Sequence, residues 1–239
     1  MAKDDVNTLK VTAILLCGGR GERLRPFTDN LPKPLVPLEG QPLLGHLMLY
    51  LAAAGIRRFA VCVGYRAELI REFLRAHADP HWQVECIDSG EASMTDRIMD
   101  AAATVGEQAL ICYGDTLANV DVMRLRADHR AHGGLATVTV HPFRSPFGIV
   151  QSDESSRVSG FLEKPLLPYW INIGFLLCEK AALGYLRRGI DMPEFLDSLA
   201  RDGVLFAYRH QGRHITVNTE RDRETAEAQL ITIMDSVRS

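Results

Sequence analysis

No run of apolar residues approaches the roughly 20 that a membrane-spanning helix needs. Met1 to Lys10 is polar and lacks the apolar core of a secretory signal, so a cytoplasmic protein is expected. Cysteine is sparse and unpaired in pattern: Cys17, Cys62, Cys86, Cys112 and Cys178 make five, with no Cys-x-x-Cys spacing, and all lie in apolar runs. They read as small buried hydrophobes in a reducing compartment, not as a disulfide frame or a metal cage. An excess of one charge is also missing. The net charge is −3, and Arg57-Arg58 and Arg187-Arg188 are isolated basic pairs, so no nucleic-acid partner is indicated. His46, His129, His132 and His141 show no metal-ligand spacing with carboxylates. No repeat, low-complexity segment or linker interrupts the chain, and its length and its 46% hydrophobic and 24% charged content fit one soluble domain over residues 1–239.

The apolar residues are placed in short runs. Val11–Leu16, Phe59–Val63, Val84–Ile87 and Leu110–Tyr113 suit buried strands, and helical patterns lie between them at Leu43–Ala54, Ala67–Ala76 and Thr95–Ala103. That alternation predicts an α/β fold with a mostly parallel central sheet and flanking helices. In the second half Ala136–His141, Phe147–Gln151, Arg157–Leu162 and Ile171–Leu177 are separated by turns, so antiparallel strands are expected there, with a polar hairpin turn at Ser152 to Ser156. Helices are predicted at Ala181–Arg188 and Pro193–Ala200, a strand at Leu205–Tyr208, and a final helix at Glu220–Val237 capped by Thr219.

The first strand runs into Cys17-Gly18-Gly19-Arg20-Gly21-Glu22-Arg23-Leu24-Arg25-Pro26, and Leu31-Pro32-Lys33-Pro34-Leu35 follows. Glycines without a Cβ let backbone N–H groups close on phosphate oxygens, and Arg20, Arg23, Arg25 and Lys33 add full positive charges, the combination a triphosphate needs. A dinucleotide fingerprint would require a third glycine where Leu24 stands. A Walker loop would require Gly-Lys followed by Ser or Thr, and here Glu22 follows Gly21. A nucleotide loop of another kind remains, beside the plainer reading of a tight turn. Its lysine is displaced onto a segment that Pro32 and Pro34 are expected to keep extended.

These residues resemble the sugar-1-phosphate nucleotidyltransferases, whose signature Gly-Gly-x-Gly-x-Arg-Leu-x-Pro-x-Thr followed by Pro-Lys-Pro reads here as Gly18 to Thr28 and Pro32 to Pro34. The resemblance continues through Tyr113-Gly114-Asp115, Glu163-Lys164-Pro165 and Asn172-Ile173-Gly174-Phe175, covering nearly the whole chain. It implies a Rossmann-like fold with a nucleotide half at 1–120 and a sugar-phosphate half at 121–239. It further implies a nucleoside triphosphate and a sugar 1-phosphate as partners, with room for a homo-oligomer and no membrane partner.

Role by role, the resemblance assigns Cys17, Gly18, Gly19 and Gly21 to the nucleotide loop, Arg23 to the triphosphate and leaving pyrophosphate, and Lys33 to the α-phosphate. It assigns Gly148, Glu163, Lys164, Asn172 and Gly174 to the sugar phosphate. Asp115 resembles the aspartate that binds Mg²⁺. The usual second metal carboxylate, an Asp before Thr, is Asn218 here, a weaker neutral ligand, and Asp121 and Glu220 are reserves. Ser89, Gly90 and Glu91 are expected beside the base. Met94-Thr95-x-Arg97 resembles the glucose-1-phosphate cytidylyltransferases, which favours CTP; GTP with a heptose-like or other sugar is the second reading, then UTP or dTTP. A catalytically silent nucleotide-sugar-binding homologue is the alternative of another class, motivated by Asn218.

Overall fold

The computed structural model describes residues 9–235, so Val237 and most of Met1–Lys10 lie outside the described residues. Strand β1 (Val11–Leu16) leads through the glycine loop to a short helix α1 (Phe27–Asn30), a 3-10 turn at Lys33–Leu35 and a small hairpin of β2 (Pro37–Leu38) and β3 (Gln41–Pro42). Helix and strand then alternate: α2 (Leu43–Ala53), β4 (Arg58–Val63), α3 (Ala67–His77), β5 (Gln83–Asp88), α4 (Met94–Ala101) and β6 (Gln108–Tyr113). The second half comprises β7 (Thr116–Ala118), α5 (Val122–His132), β8 (Ala136–Arg144), β9 (Ile149–Ser152), β10 (Val158–Leu162), β11 (Leu166–Glu179), α6 (Met192–Arg201), β12 (Leu205–Arg209), β13 (His214–Thr216) and α7 (Glu220–Asp235).

The main sheet runs β12-β8-β11-β6-β1-β4-β5. β1 pairs in parallel with β4 on one side and with β6 on the other, while β11 joins β6 and β8 antiparallel. The expected mostly parallel α/β sheet is therefore present. Side chains of β1 alternate between two cores. Val11, Ala13 and Leu15 face the cluster covered by α2, α3 and α7, and Ile14 faces the cluster that holds Ile98 of α4 and Phe195 of α6. Because β4 and β5 extend from one side of β1 and β6 lies on the other, the chain changes direction between β1 and β6. Clefts in open α/β sheets form at the carboxyl ends of strands at such a point.

Several expectations change. Lys33 is not in an extended stretch: Pro32 is extended, but its carbonyl accepts from Leu35 N at 2.8 Å and that of Lys33 from Val36 N at 3.1 Å, closing a 3-10 turn. The helix predicted at Ala181–Arg188 is likewise a 3-10 segment, Lys180–Tyr185. Helix α5 and the short pair β7 and β13 were not predicted. The α7 cap is as expected, and reciprocal: Thr219 Oγ1 accepts from Asp222 N at 3.2 Å while Asp222 Oδ2 accepts from Thr219 N at 2.8 Å. Among the described residues no helix is long and apolar enough to cross a membrane.

A histidine cluster fastens the β12–β13 turn. The His141 ring lies 4.7 Å from that of His214 and 6.1 Å from that of His210, centroid to centroid. His141 Nε2 donates to Gly212 O at 3.1 Å and His210 Nε2 to Arg213 O at 3.2 Å. Burial, and then the neighbouring His141 and His210, push His214 from 6.5 down to about 4. A histidine whose folded value is depressed stabilises the fold above its unfolded value, and this contribution is lost as pH falls from about 6.5 to about 4, because the unfolded chain takes up a proton that the folded chain refuses. The melting temperature of His214→Gln is therefore expected to fall less steeply than that of the unsubstituted chain across this interval; parallel curves by circular dichroism would remove His214 from the account.

Candidate active site

The glycine loop begins where β1 ends, with Cys17 N donating to Cys62 O at 2.8 Å. Gly21 has φ 64°, a left-handed conformation, and a Cβ there would stand 2.8 Å from Lys33 Cβ. Glycine is thus required both by the backbone and by the close approach of Lys33. Thr28 Oγ1 donates to Gly21 O at 2.9 Å and fixes the return of the loop. Cys17 is buried, and burial pushes its thiol well above the usual range, so it acts as packing beneath the loop and not as a nucleophile.

The loop forms one wall of a cavity of about 430 Å³, shared with Lys33, Pro34, Tyr65, Gly90, Glu91, Ala92, Met94, Arg97, Tyr113, Gly114 and Asp115. These come from the end of β6 and the segments that follow β1, β4, β5 and β6, from the 3-10 turn at Lys33–Leu35 and from the start of α4, at the change of direction in the sheet. Gly114 is needed for closeness: a Cβ there would stand 2.7 Å from Cys17 Sγ and 2.8 Å from Leu16 O.

At one end of the cavity the charged residues converge. Lys33 Nζ donates to Asp115 Oδ2 at 2.6 Å and to Asn218 Oδ1 at 2.8 Å, and Arg23 donates to the same Asn218 oxygen at 2.9 Å. Asp115 and Asn218 are distant in sequence but are joined by the pairing of β7 with β13: Thr116 lies opposite Thr216, and Val217 N donates to Asp115 O at 2.9 Å. Among the described residues no three His, Cys, Asp or Glu side chains are grouped to hold a metal ion. Asp115 and Asn218 together offer one carboxylate and one amide oxygen around a position that the Lys33 ammonium occupies, a donor set that suits a cation completing its shell with phosphate oxygens. The reserve carboxylates are engaged elsewhere. Asp121 caps α5 by accepting from Arg124 N at 2.9 Å, and Glu220 pairs with Arg223 at 2.8 Å.

At the other end is Arg97, a residue that the sequence marked only as part of a family pattern. It is buried, and its guanidinium donates to the carbonyls of Val63, Gly18 and Gly90. A Cβ on Gly18 or Gly64 would collide with it. Of the residues expected beside the base, Gly90 is held by Arg97, Ser89 does not line the cavity, and Glu91 lies exposed at its mouth, ion-paired with Arg20. Arg20 also stands over the Tyr65 ring, 5.9 Å from its centroid.

The residues expected for the sugar phosphate form a second group outside the cavity wall. Asn172 Oδ1 accepts from Gly174 N at 2.8 Å, and Gly174, at φ 81°, lets Tyr113 pack where a Cβ would stand 2.6 Å from its ring. Burial pushes the Tyr113 phenol up, with Asn172 and Asp115 beside it. Lys164 Nζ is 3.8 Å from Glu163, both exposed, and a Cβ on Gly148 would meet the Phe161 ring and stand 3.2 Å from Glu163 Oε2. Tyr113 thus lies between the two groups.

Arg97→Met is expected to lower unfolding free energy by about 3 kcal/mol in urea, because the buried carbonyls of Val63 and Gly18 and the partly buried one of Gly90 lose a charged donor. Glu91→Gln, at an exposed pair, should change it by less than about 0.5 kcal/mol. Equal effects would mean that Arg97 is not a structural donor.

Comparison with known proteins gives one family. A model of the family described as nucleotidyl transferase matches residues 12–195. The chain is 32% identical over 232 residues to a protein of Bacillus subtilis (strain 168) named probable glucose-1-phosphate cytidylyltransferase, covering 87% of this chain and 91% of that one. It is 31% identical over 205 residues to a mannose-1-phosphate guanylyltransferase of Mycobacterium tuberculosis (strain ATCC 25618 / H37Rv), covering 82% of this chain and 57% of the relative. A solved structure described as a putative glucose-1-phosphate thymidylyltransferase from Bacillus anthracis has the same fold, with a TM-score of 0.75 at 19% identity, over 91% of this chain and 94% of that chain.

Proposed function

The chain belongs to the nucleotidyl transferase family, the sugar-1-phosphate nucleotidyltransferases, and on that premise we propose that it transfers the nucleotidyl group of CTP to a sugar 1-phosphate, with Mg²⁺, in the cytoplasm. The observation that carries this reading is the placement of Arg23, Lys33, Asp115 and Asn218 together at one end of a cavity that the glycine loop walls.

In this reaction a phosphate oxygen of the sugar 1-phosphate attacks the α-phosphorus, the bond from that phosphorus to the β-phosphate oxygen breaks, and pyrophosphate leaves with the electron pair. The reaction requires no activated nucleophile from the protein. Its residues must hold two mutually repelling anions in line and stabilise charge as the leaving bond stretches. Lys33, at the base of the cavity, is assigned to the α-phosphate, and Arg23, exposed at its edge, to the departing pyrophosphate. A bound Mg²⁺ would add charge neutralisation across the phosphates, held by Asp115 and Asn218. Lys164 would receive the sugar phosphate and Glu163 would accept from a sugar or ribose hydroxyl, with Gly148, Asn172 and Gly174 forming the path past Tyr113.

Cytosine is favoured by the relative named probable glucose-1-phosphate cytidylyltransferase, to which the chain is similar over 87% of its length. GTP remains the second reading, because a guanylyltransferase is among the relatives. A silent homologue is disfavoured by the convergence of all four polar groups at one point.

Pyrophosphate release from each of CTP, GTP, UTP, dTTP and ATP against a panel of sugar 1-phosphates tests the proposal. We expect CTP to have the highest kcat/KM, by roughly ten- to a hundredfold for each hydrogen bond that a wrong base leaves unmade. A higher value for GTP with the same sugar phosphate would replace cytidylyl by guanylyl transfer, and no release with any pair would favour the silent homologue. Arg23→Ala and Lys33→Ala should each lower kcat by at least about 10² with the fold intact. Lys164→Ala should chiefly raise KM for the sugar phosphate; a change confined to the KM of the nucleotide would reassign Lys164.

A further inference from the structure

The cluster around Lys33 has an unbalanced charge. Arg23 and Lys33 bring two positive charges to Asp115 and Asn218, of which only Asp115 carries a negative one. Every oxygen a metal ion would use is already engaged: Asp115 Oδ2 and Asn218 Oδ1 accept from Lys33 at 2.6 and 2.8 Å, and Asp115 Oδ1 accepts from Thr116 Oγ1 at 3.2 Å. Thr116 is itself fixed, its hydroxyl 3.0 Å from that of Thr216 across the β7–β13 pair. The Lys33 and Asp115 side chains are only 11% and 27% exposed, so water screens this pair weakly.

A divalent cation arriving alone would have to displace a buried ammonium from its carboxylate. A triphosphate alters that balance. It brings several negative charges to the same end of the cavity, and an ammonium with three donors can turn from a carboxylate to phosphate oxygens without losing its hydrogen bonds. Asp115 is then released with its charge intact.

We propose that Lys33 is a resident cation that keeps the metal position closed in the free protein and yields it only when a polyphosphate is present, so that the divalent cation enters with or after the nucleotide and never before it. Asn218 is part of this device. A carboxylate at that position would balance the second cation, whereas the neutral amide leaves an excess positive charge that repels a lone metal ion. The inference rests on the nucleotidyl transfer reading for the identity of the polyphosphate, while the closure is a property of the free chain.

Mn²⁺ is a suitable probe, since the signal of its free aquo ion in electron paramagnetic resonance reports binding without catalysis. The nucleotide-free protein should bind Mn²⁺ weakly, and addition of CTP or GTP should tighten binding. Lys33→Met and Lys33→Gln, which remove the charge with different residual polarity, should each bind Mn²⁺ at least about tenfold more tightly than the unsubstituted chain in the absence of nucleotide, and adding Asp115→Asn to either should abolish the gain. Thermal melts establish that each variant is folded. Equal Mn²⁺ affinity in the unsubstituted chain and in whichever Lys33 variant folds would overturn the proposal, as would Mn²⁺ binding to the free protein that nucleotide does not tighten. Should Mn²⁺ behave as expected while no sugar phosphate is ever converted, the closure stands and the enzymatic reading fails.

Discussion

The pairing of β7 with β13 is the constraint on which the site depends. Each strand has only three residues, and the two lie far apart in the chain, yet their register sets Asp115 and Asn218 at the same edge. Lys33 and Arg23 can then converge because the glycine loop delivers them from the far side of β1, with Gly21 admitting the Lys33 stem. Without the β7–β13 ladder the two oxygens facing Lys33 would be held only by separate loops. Its energetic worth is small, a few hydrogen bonds at about 1 kcal/mol each, but it converts two distant loops into one preorganised wall.

The cavity itself follows from sheet topology. Parallel strands on both sides of β1 leave the loops after β1 and β6 diverging, and their separation is the opening in which a nucleotide base is expected. Arg97 closes the back of that opening, tying three loops together with one side chain. The integrity of the pocket therefore rests on that residue.

Much of this was legible from residues that act locally. A glycine loop after an apolar run, Pro-Lys-Pro, and Tyr-Gly-Asp at a strand end carry their placement in their own sequence, and the strands of the parallel half were predicted to within about two residues at each end. What was not legible depends on tertiary context. β7 and β13 are too short to show a period, and α5 hides its apolar face because one of its three buried positions is His129, bonded to Thr137 and Glu179. Asp121 was read as a reserve ligand when it is a helix cap, since a capping aspartate and a metal-binding one look alike until the backbone N–H is placed. The 3-10 turn at Lys33 is a compromise that two prolines allow, and its direction is set by the packing against Gly21. Arg97 could be found only once the carbonyls of three separate loops were seen to end at the same point.

Asn218 belongs to a helix cap as much as to the active site: Asp222 Oδ2 accepts from the backbone N–H of both Asn218 and Thr219, at 3.0 and 2.8 Å. Helix α7 is in turn held by Ala226, Leu230 and Ile233 in the core and by Glu227, which accepts from Glu39 N at 3.2 Å at the β2–β3 turn. Fraying of the first turn of α7 would release Asn218 and free Arg23 and Lys33 to move. The packing of α7 against the core and the geometry of the charged cluster are therefore one property, since both pass through the Asn218–Asp222 contact.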